Sequence, residues 1–351
     1  MNTFIRQNVQ AMTAYTPGEQ PDDPRVLKLN TNENPYPPSP AALRVLNGIE
    51  AGVFQLYPDP LCRRLRETIA HVHGCSPDHV FCGNGSDEIL ALCFRAFVED
   101  DGVVGYFDPS YSLYPVLAAI HDCRSVPIPL QSDFRVTPLP DTYRASLFFW
   151  TNPNAPTSLA CPVAWIEQSA KQFEGVLVVD EAYADFADAH AISLALQYPN
   201  VLVTRSFSKS YSLAGIRLGY ALGHPGLIQA LYKIKDSYNV NALTQKIGCA
   251  AMEDQEHMRA NVRAIRTTRD RVIGAMRERG FDVLPSQTNF IWAKHPARDA
   301  RTLYDGLRAQ NILIRYFSSH PATSDHLRVT VGADAHMDRF IEALDAVVEF
   351  T

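Results

Sequence analysis

The sequence predicts an α/β fold on a mostly parallel sheet, and three observations carry that prediction. Six short runs rich in β-branched and aromatic residues, at 79–82, 102–107, 146–151, 175–179, 201–204 and 219–222, are separated by segments long enough for a crossover helix. The runs are near-continuously apolar, as strands covered on both faces are. At 351 residues and 46% hydrophobic, the chain can fill one large core and a smaller second one.

Residues 1–44 come first, and their run Asn30-Thr31-Asn32-Glu33-Asn34-Pro35-Tyr36-Pro37-Pro38 cannot hold a long helix. Each proline lacks a donor and restricts the residue before it, so the segment reads as an arm or lid. Residues 45–236 hold the six strands and form a large unit, in which ligands sit at the strand ends. From 240 to 280, Ile247, Ala251, Met258, Val262, Ile265 and Ile273 recur at helical spacing, with Gly280 as a stop. Strands at 281–284, 289–293, 312–316 and 326–331, with helices near 298–309 and 335–349, make 237–351 a small α+β unit.

The 38 acidic residues outnumber the 32 lysines and arginines, giving a formal charge of −6, which argues against a nucleic-acid partner. Seven cysteines show no CxxC or other metal-like spacing and, being odd in number, fit no complete disulfide framework. The start, Met1 to Asn8, lacks a signal peptide's apolar stretch, and no run approaches the ~20 apolar residues of a membrane span, so a cytoplasmic protein is expected.

Chemistry concentrates just after the strands. Lys209, in Arg205-Ser206-Phe207-Ser208-Lys209, offers an amine for a Schiff base; Asp180, ending Val176-Leu177-Val178-Val179-Asp180, offers a carboxylate for a protonated ring nitrogen; Arg217 offers a cation for a phosphate. Pyridoxal phosphate requires all three. An isolated lysine is ordinarily solvated, an aspartate after a strand can equally cap a helix, and Tyr183 can simply pack. Burial or a neighbouring cation such as Arg217 would lower the Lys209 pKa and free its amine. The turn Gly83-Asn84-Gly85-Ser86-Asp87-Glu88 precedes an apolar helical face and can present backbone N–H groups to an anion. Ser206, Ser208 and Arg217 would complete that phosphate cup. Tyr111 can stack on a cofactor ring or pack in the core. Asn152-Pro153-Asn154-Ala155-Pro156-Thr157 presents amides at the same edge.

These motifs, together with Asn32-Glu33-Asn34-Pro35, Tyr57-Pro58, Asp180-Glu181-Ala182-Tyr183, Leu213-Ala214-Gly215-Ile216-Arg217 and Leu327-Arg328-Val329-Thr330-Val331-Gly332, span nearly the whole chain. Their combination resembles the fold-type I family of pyridoxal-phosphate-dependent aminotransferases and, within it, the histidinol-phosphate aminotransferases. The resemblance implies a large domain with a mostly parallel seven-stranded sheet, a small α+β domain, and an N-terminal arm packed with the latter. It implies that Lys209 carries the cofactor as a Schiff base, Asp180 pairs with the pyridine nitrogen, Tyr183 meets the phenolic oxygen and Tyr111 stacks on the ring. Gly85, Ser86, Asp87, Ser206, Ser208 and Arg217 would hold the phosphate. The family's second asparagine in Asn-Asn-Pro-Thr-Gly is Ala155 here, so Asn154 substitutes for it or Tyr183 acts alone.

The resemblance further implies a homodimer with shared sites, in which Tyr57 reaches the neighbouring subunit's cofactor. The implied reaction is ping-pong amino transfer between histidinol phosphate and 2-oxoglutarate, with Lys209 as proton carrier. Arg315 and Arg328 suit carboxylate or phosphate, though surface ion pairing is the plain alternative. Tyr15, Asn34 and Asn289 would line the pocket, with Tyr238 contributing across the dimer. Aromatic amino acid aminotransferases and threonine-phosphate decarboxylases share most of these motifs. A non-catalytic binder is disfavoured by the intact Lys209 and Asp180.

Overall fold

A computed structural model describes residues 4–350; residues 1–3 and 351, the extremities of the expected arm and C-terminal unit, lie outside the described residues. The strands are β1 Leu27–Lys28, β2 Val80–Gly83, β3 Val103–Asp108, β4 Arg124–Ser125, β5 Ile128–Pro129, β6 Leu147–Thr151 and β7 Val176–Asp180. They continue with β8 Val201–Ser206, β9 Gly219–Gly223, β10 Asp282–Val283, β11 Phe290–Lys294, β12 Ile312–Leu313, β13 Arg315–Tyr316 and β14 Leu327–Thr330.

The main sheet runs β2-β9-β8-β7-β6-β3, and β4 and β5 share the last position, each pairing with a different part of β3. Seven places thus hold eight strands. All are parallel except β9, which is antiparallel to β2 and β8. The segment after 204 was expected to hold a crossover helix; residues 207–218 instead form a loop with a single 3-10 turn, Ala214–Ile216, so β9 returns beside β8 in the opposite sense. A short connection permits only that direction.

Successive residues of β6 bury on opposite faces, Phe148 and Trp150 in one core and Leu147 and Phe149 in the other. That two-sided burial is why its sequence reads apolar throughout. Helices Ser86–Phe97, Leu113–His121 and Val163–Gln172 follow β2, β3 and β6 and bury Ile89, Leu117 and Ile166. Among the described residues no helix is long and apolar enough to cross a membrane.

The helical stretch from 240 to 280 is two helices, Ala242–Glu253 and Gln255–Glu278, because the Asp254 side chain accepts from His257 N–H and caps the second. Beyond Gly280, β10-β11-β14-β13 form an antiparallel sheet; Ala300–Ala309 packs against β13, and Asp334–Phe350 packs against Ala300–Ala309 and Gln255–Glu278. The strand expected over 312–316 divides at Ile314: β12 pairs with β1 and β13 with β14. The arm thereby joins the C-terminal unit through β1, while its first helix, Gln7–Ala11, lies on Leu113–His121. A further helix, Pro40–Asn47, runs through position 44, where the arm was expected to end.

Candidate active site

The loops after β2, β3, β6, β7 and β8 and the arm enclose one cavity, in which Lys209, Asp180, Tyr183, Arg217, Arg315 and Arg328 converge. Lys209 stands in the β8–β9 loop, and its Nζ donates to the Thr31 carbonyl at 2.9 Å. Burial, followed by the cation of Arg328, pulls its pKa down to about 8 against the carboxylates of Glu33 and Asp87. Arg328 has a larger effect than Arg217, the neighbour singled out from sequence. Asn34 Nδ2 donates to the backbone carbonyls of Lys209 (2.9 Å) and Ser210 (3.3 Å), so the arm both covers the lysine and fixes its backbone.

Asp180 is only 3% exposed at the end of β7. It accepts from Tyr114 Oη at 2.8 Å, the Ala182 N–H at 3.2 Å and Thr204 Oγ1 at 3.4 Å. Burial pushes its pKa up to about 6 despite those donors. Among the described residues no cation pairs with it. A buried carboxylate in that condition favours a cationic partner. Tyr183 accepts from Asn32 Nδ2 at 2.9 Å, which leaves its own proton to donate elsewhere, and burial raises its pKa so that the proton is retained. Tyr111 donates to Asp87 at 3.1 Å and meets Tyr15 and Tyr114 edge-on.

At the other end lies an anion cradle. Helix Ser86–Phe97 starts after Gly85, which has φ +82° and no side chain to cap the first turn. The free N–H groups and the helix dipole therefore favour an anion. Arg217 reaches Ser208 Oγ and Asp87, both at 3.3 Å, and the Ser206 hydroxyl accepts the Ser208 N–H. A Cβ on Gly85 would stand 2.5 Å from Arg217 Nη2, and one on Gly219 would stand 2.5 Å from the Ser86 nitrogen. Only glycine allows either approach.

Arg315 and Arg328 are partners across β13 and β14, with guanidinium carbons 5.3 and 5.1 Å from the Phe317 ring. Arg315 donates to the Thr16 and Pro17 carbonyls, Arg328 donates to the Asn30 carbonyl, and Arg328 Nε is buried without a partner. Neither has a carboxylate partner among the described residues, so surface ion pairing does not account for them. Two neighbouring cations facing one cavity form a receptor for an anion.

Six residues expected at the site do not line this cavity: Gly85, Asn154, Tyr57, Asn34, Tyr238 and Asn289. Gly85 acts by what it lacks, and Asn34 acts on the lysine backbone. Asn154 spends its amide on the Pro109 carbonyl and Thr157, and its oxygen accepts from Ser110, so it cannot replace the asparagine missing at Ala155. Asn289 is fully buried and donates to the Asn32 carbonyl, holding the arm rather than facing the pocket. Tyr57 and Tyr238 stack on each other at 4.3 Å on the surface. Sequence reasoning missed Tyr114, Thr31 and Asn32, whose roles depend on contacts between distant segments; only their places beside singled-out motifs hinted at them. A half-buried amine with a pKa of about 8, a buried carboxylate without a cation and an anion cradle that glycine keeps open together fit pyridoxal phosphate.

The family model described as aminotransferase class I and II matches residues 24–344. A histidinol-phosphate aminotransferase of Geobacter sulfurreducens is 43% identical over 98% of this chain and 99% of its own. Among solved structures, histidinol-phosphate aminotransferase from Sinorhizobium meliloti in complex with pyridoxal-5'-phosphate superposes with a TM-score of 0.87 at 26% identity, covering 100% of this chain and 99% of that one. L-threonine-O-3-phosphate decarboxylase from Porphyromonas gingivalis shares the fold, with a TM-score of 0.78 at 19% identity over 92% of this chain and 99% of that one. With the family model spanning most of its length, the chain belongs to the class I and II aminotransferases.

Proposed function

We infer that this protein is a pyridoxal-phosphate-dependent aminotransferase of histidine biosynthesis that moves an amino group between histidinol phosphate and 2-oxoglutarate. The observation that carries the chemistry is the half-buried Lys209 amine, its pKa pulled down to about 8, sharing a cavity with the unpaired carboxylate of Asp180. The cofactor, when bound, supplies an aldehyde for that amine and an electron-withdrawing ring that stabilises negative charge at the substrate Cα. Arg217, the Ser86 and Asp87 N–H groups, Ser206 and Ser208 hold its phosphate. Asp180 keeps the ring nitrogen protonated, with Tyr114 and Thr204 fixing the carboxylate. Tyr183 donates to the phenolic oxygen. Ala155 offers that oxygen nothing, so Tyr183 makes the contact without help from Asn154.

Lys209 would take the proton from the substrate Cα and hold it for return, a general acid–base role suited to an amine with a pKa of about 8. Arg315 and Arg328 grip the phosphate of histidinol phosphate in one half-reaction and a carboxylate of 2-oxoglutarate in the other. One site serves both substrates in turn, which makes the kinetics ping-pong. Full-length relatives named histidinol-phosphate aminotransferase support this substrate. Assaying histidinol phosphate, phenylalanine and threonine phosphate side by side with 2-oxoglutarate, and following amino transfer and carbon dioxide, tests it. Preference for either other substrate overturns the choice.

The working unit in this reading is a cytoplasmic homodimer with 1–44 as an arm, 45–236 as the cofactor-binding domain and 237–351 as the small domain. Pairing of β1 with β12 supports an arm attached to the small domain.

A further inference from the structure

A second cavity, of about 680 Å³, opens between helix Gln255–Glu278 and the segment 184–192 and shares no lining residue with the active site. Its volume is that of a small-molecule pocket. Arg259, Arg263 and Arg266 line it from one helix face at spacings of four and three, where like charges repel. Arg266 pairs with Asp188 at 2.5 Å, but Arg259 and Arg263 have no carboxylate partner among the described residues.

Arg205 lines the same cavity and is 3% exposed. Its Nε donates to Glu181 at 2.8 Å and its Nη1 to Asp185 at 2.6 Å, while Nη2 has no partner. Leaving a buried guanidinium N–H unpaired is costly. Of the carboxylates at the cavity, Asp185 is engaged with Arg205 and Asp270 with Arg269. His73 is turned to Tyr220, and His190 stands exposed at the cavity. After internal pairing, the exposed guanidinium groups of Arg259 and Arg263 retain unspent donors at the concavity, and the unpartnered Arg205 Nη2 is buried in its wall.

We propose that this cavity is a second anion site that takes a phosphorylated small molecule, either a phosphate ester or a diphosphate. A guanidinium fork matches phosphate oxygens two at a time, and several forks around one pocket suit an anion with more oxygens than one carboxylate provides. The proposal does not depend on which amine the active site serves.

The test is calorimetric titration of the holoenzyme with inorganic diphosphate, comparing wild type with the Arg259→Ala/Arg263→Ala double variant. Both arginines are exposed on a helix, alanine is the best helix former, and the change relieves repulsion, so folding is preserved. Because the active site has its own phosphate contacts, inhibition of amino transfer by the same anion is measured in parallel. Wild type should show two classes of site. The double variant should bind at one of them at least about tenfold more weakly, the least expected from losing a hydrogen bond to a charged group, with inhibition unchanged. Identical titrations of the two proteins, or a weakened site whose loss carries the inhibition with it, overturn the proposal.

Discussion

Desolvation works against the charges of both the half-buried Lys209 and the buried Asp180, pulling one pKa down to about 8 and pushing the other up to about 6. For Asp180 the folded pKa lies above its ordinary 3.8, so without cofactor the folded chain binds the extra proton between those values and loses stability as pH rises through them. Replacing Asp180 by Asn removes that loss. Relative to wild type, the cofactor-free variant should gain stability between pH 4 and 6, on the order of 2 to 3 kcal/mol at about 1.4 kcal/mol per unit, and then level off. Urea unfolding at pH 4 and pH 7 measures it, and a flat difference would show that the carboxylate is not held protonated. The same variant should lose most turnover, because the ring nitrogen loses its charged partner. Lys209→Ala should abolish transfer altogether. In the cofactor-free protein, acylation of Lys209 followed by mass spectrometry should rise through pH 8, well below the range of an exposed lysine.

At the scale of elements, the site is a set of strand ends and the turns after them, and this part was legible. Buried strands announce themselves as apolar runs, and glycine, serine and aspartate just beyond them mark turns that can turn N–H groups and side chains inward. Direction and aim were less legible. That β9 runs antiparallel depends on what residues 207–218 do, and that Asn154 turns to the loop after β3 depends on Pro109 and Ser110 being brought beside it. The anion cradle gives a direct test. Gly85→Ala places a Cβ against Arg217 at φ +82° and ψ +162°, a region essentially reserved for glycine, so cofactor affinity should fall at least about tenfold, with roughly 1 to 3 kcal/mol of stability lost to the strained backbone; fluorescence titration of the cofactor reads the first and thermal unfolding the second. Behind the lysine, Arg205 joins Glu181 and Asp185, and Asp185 accepts from Ser210 at 2.5 Å. Ser210→Ala should loosen the loop and raise the acylation pKa of Lys209 toward the exposed value, whereas a purely structural serine would leave it in place.

For the whole molecule, the unexplained residues are those that one chain exposes without using. Tyr57 is 79% exposed and stacks on Tyr238, with Phe54 and Leu56 exposed beside it. A contiguous exposed group of large apolar side chains marks an interaction surface. Tyr57 lies outside its own chain's cavity, and in the proposed dimer it would reach the neighbouring subunit's cofactor, a role that only the resemblance carried by Tyr57-Pro58 suggested. The expected solution species is a dimer, measured by sedimentation equilibrium. Tyr57→Phe keeps the ring and its stacking and removes only the hydroxyl, so the dimer should persist while cofactor affinity falls by about three- to tenfold, the loss of one hydrogen bond. Tyr57→Ala removes the ring as well and should weaken association together with cofactor binding. A monomer that holds cofactor as tightly as the dimer would show that each site is complete within one chain and that the exposed tyrosine pair serves some other contact.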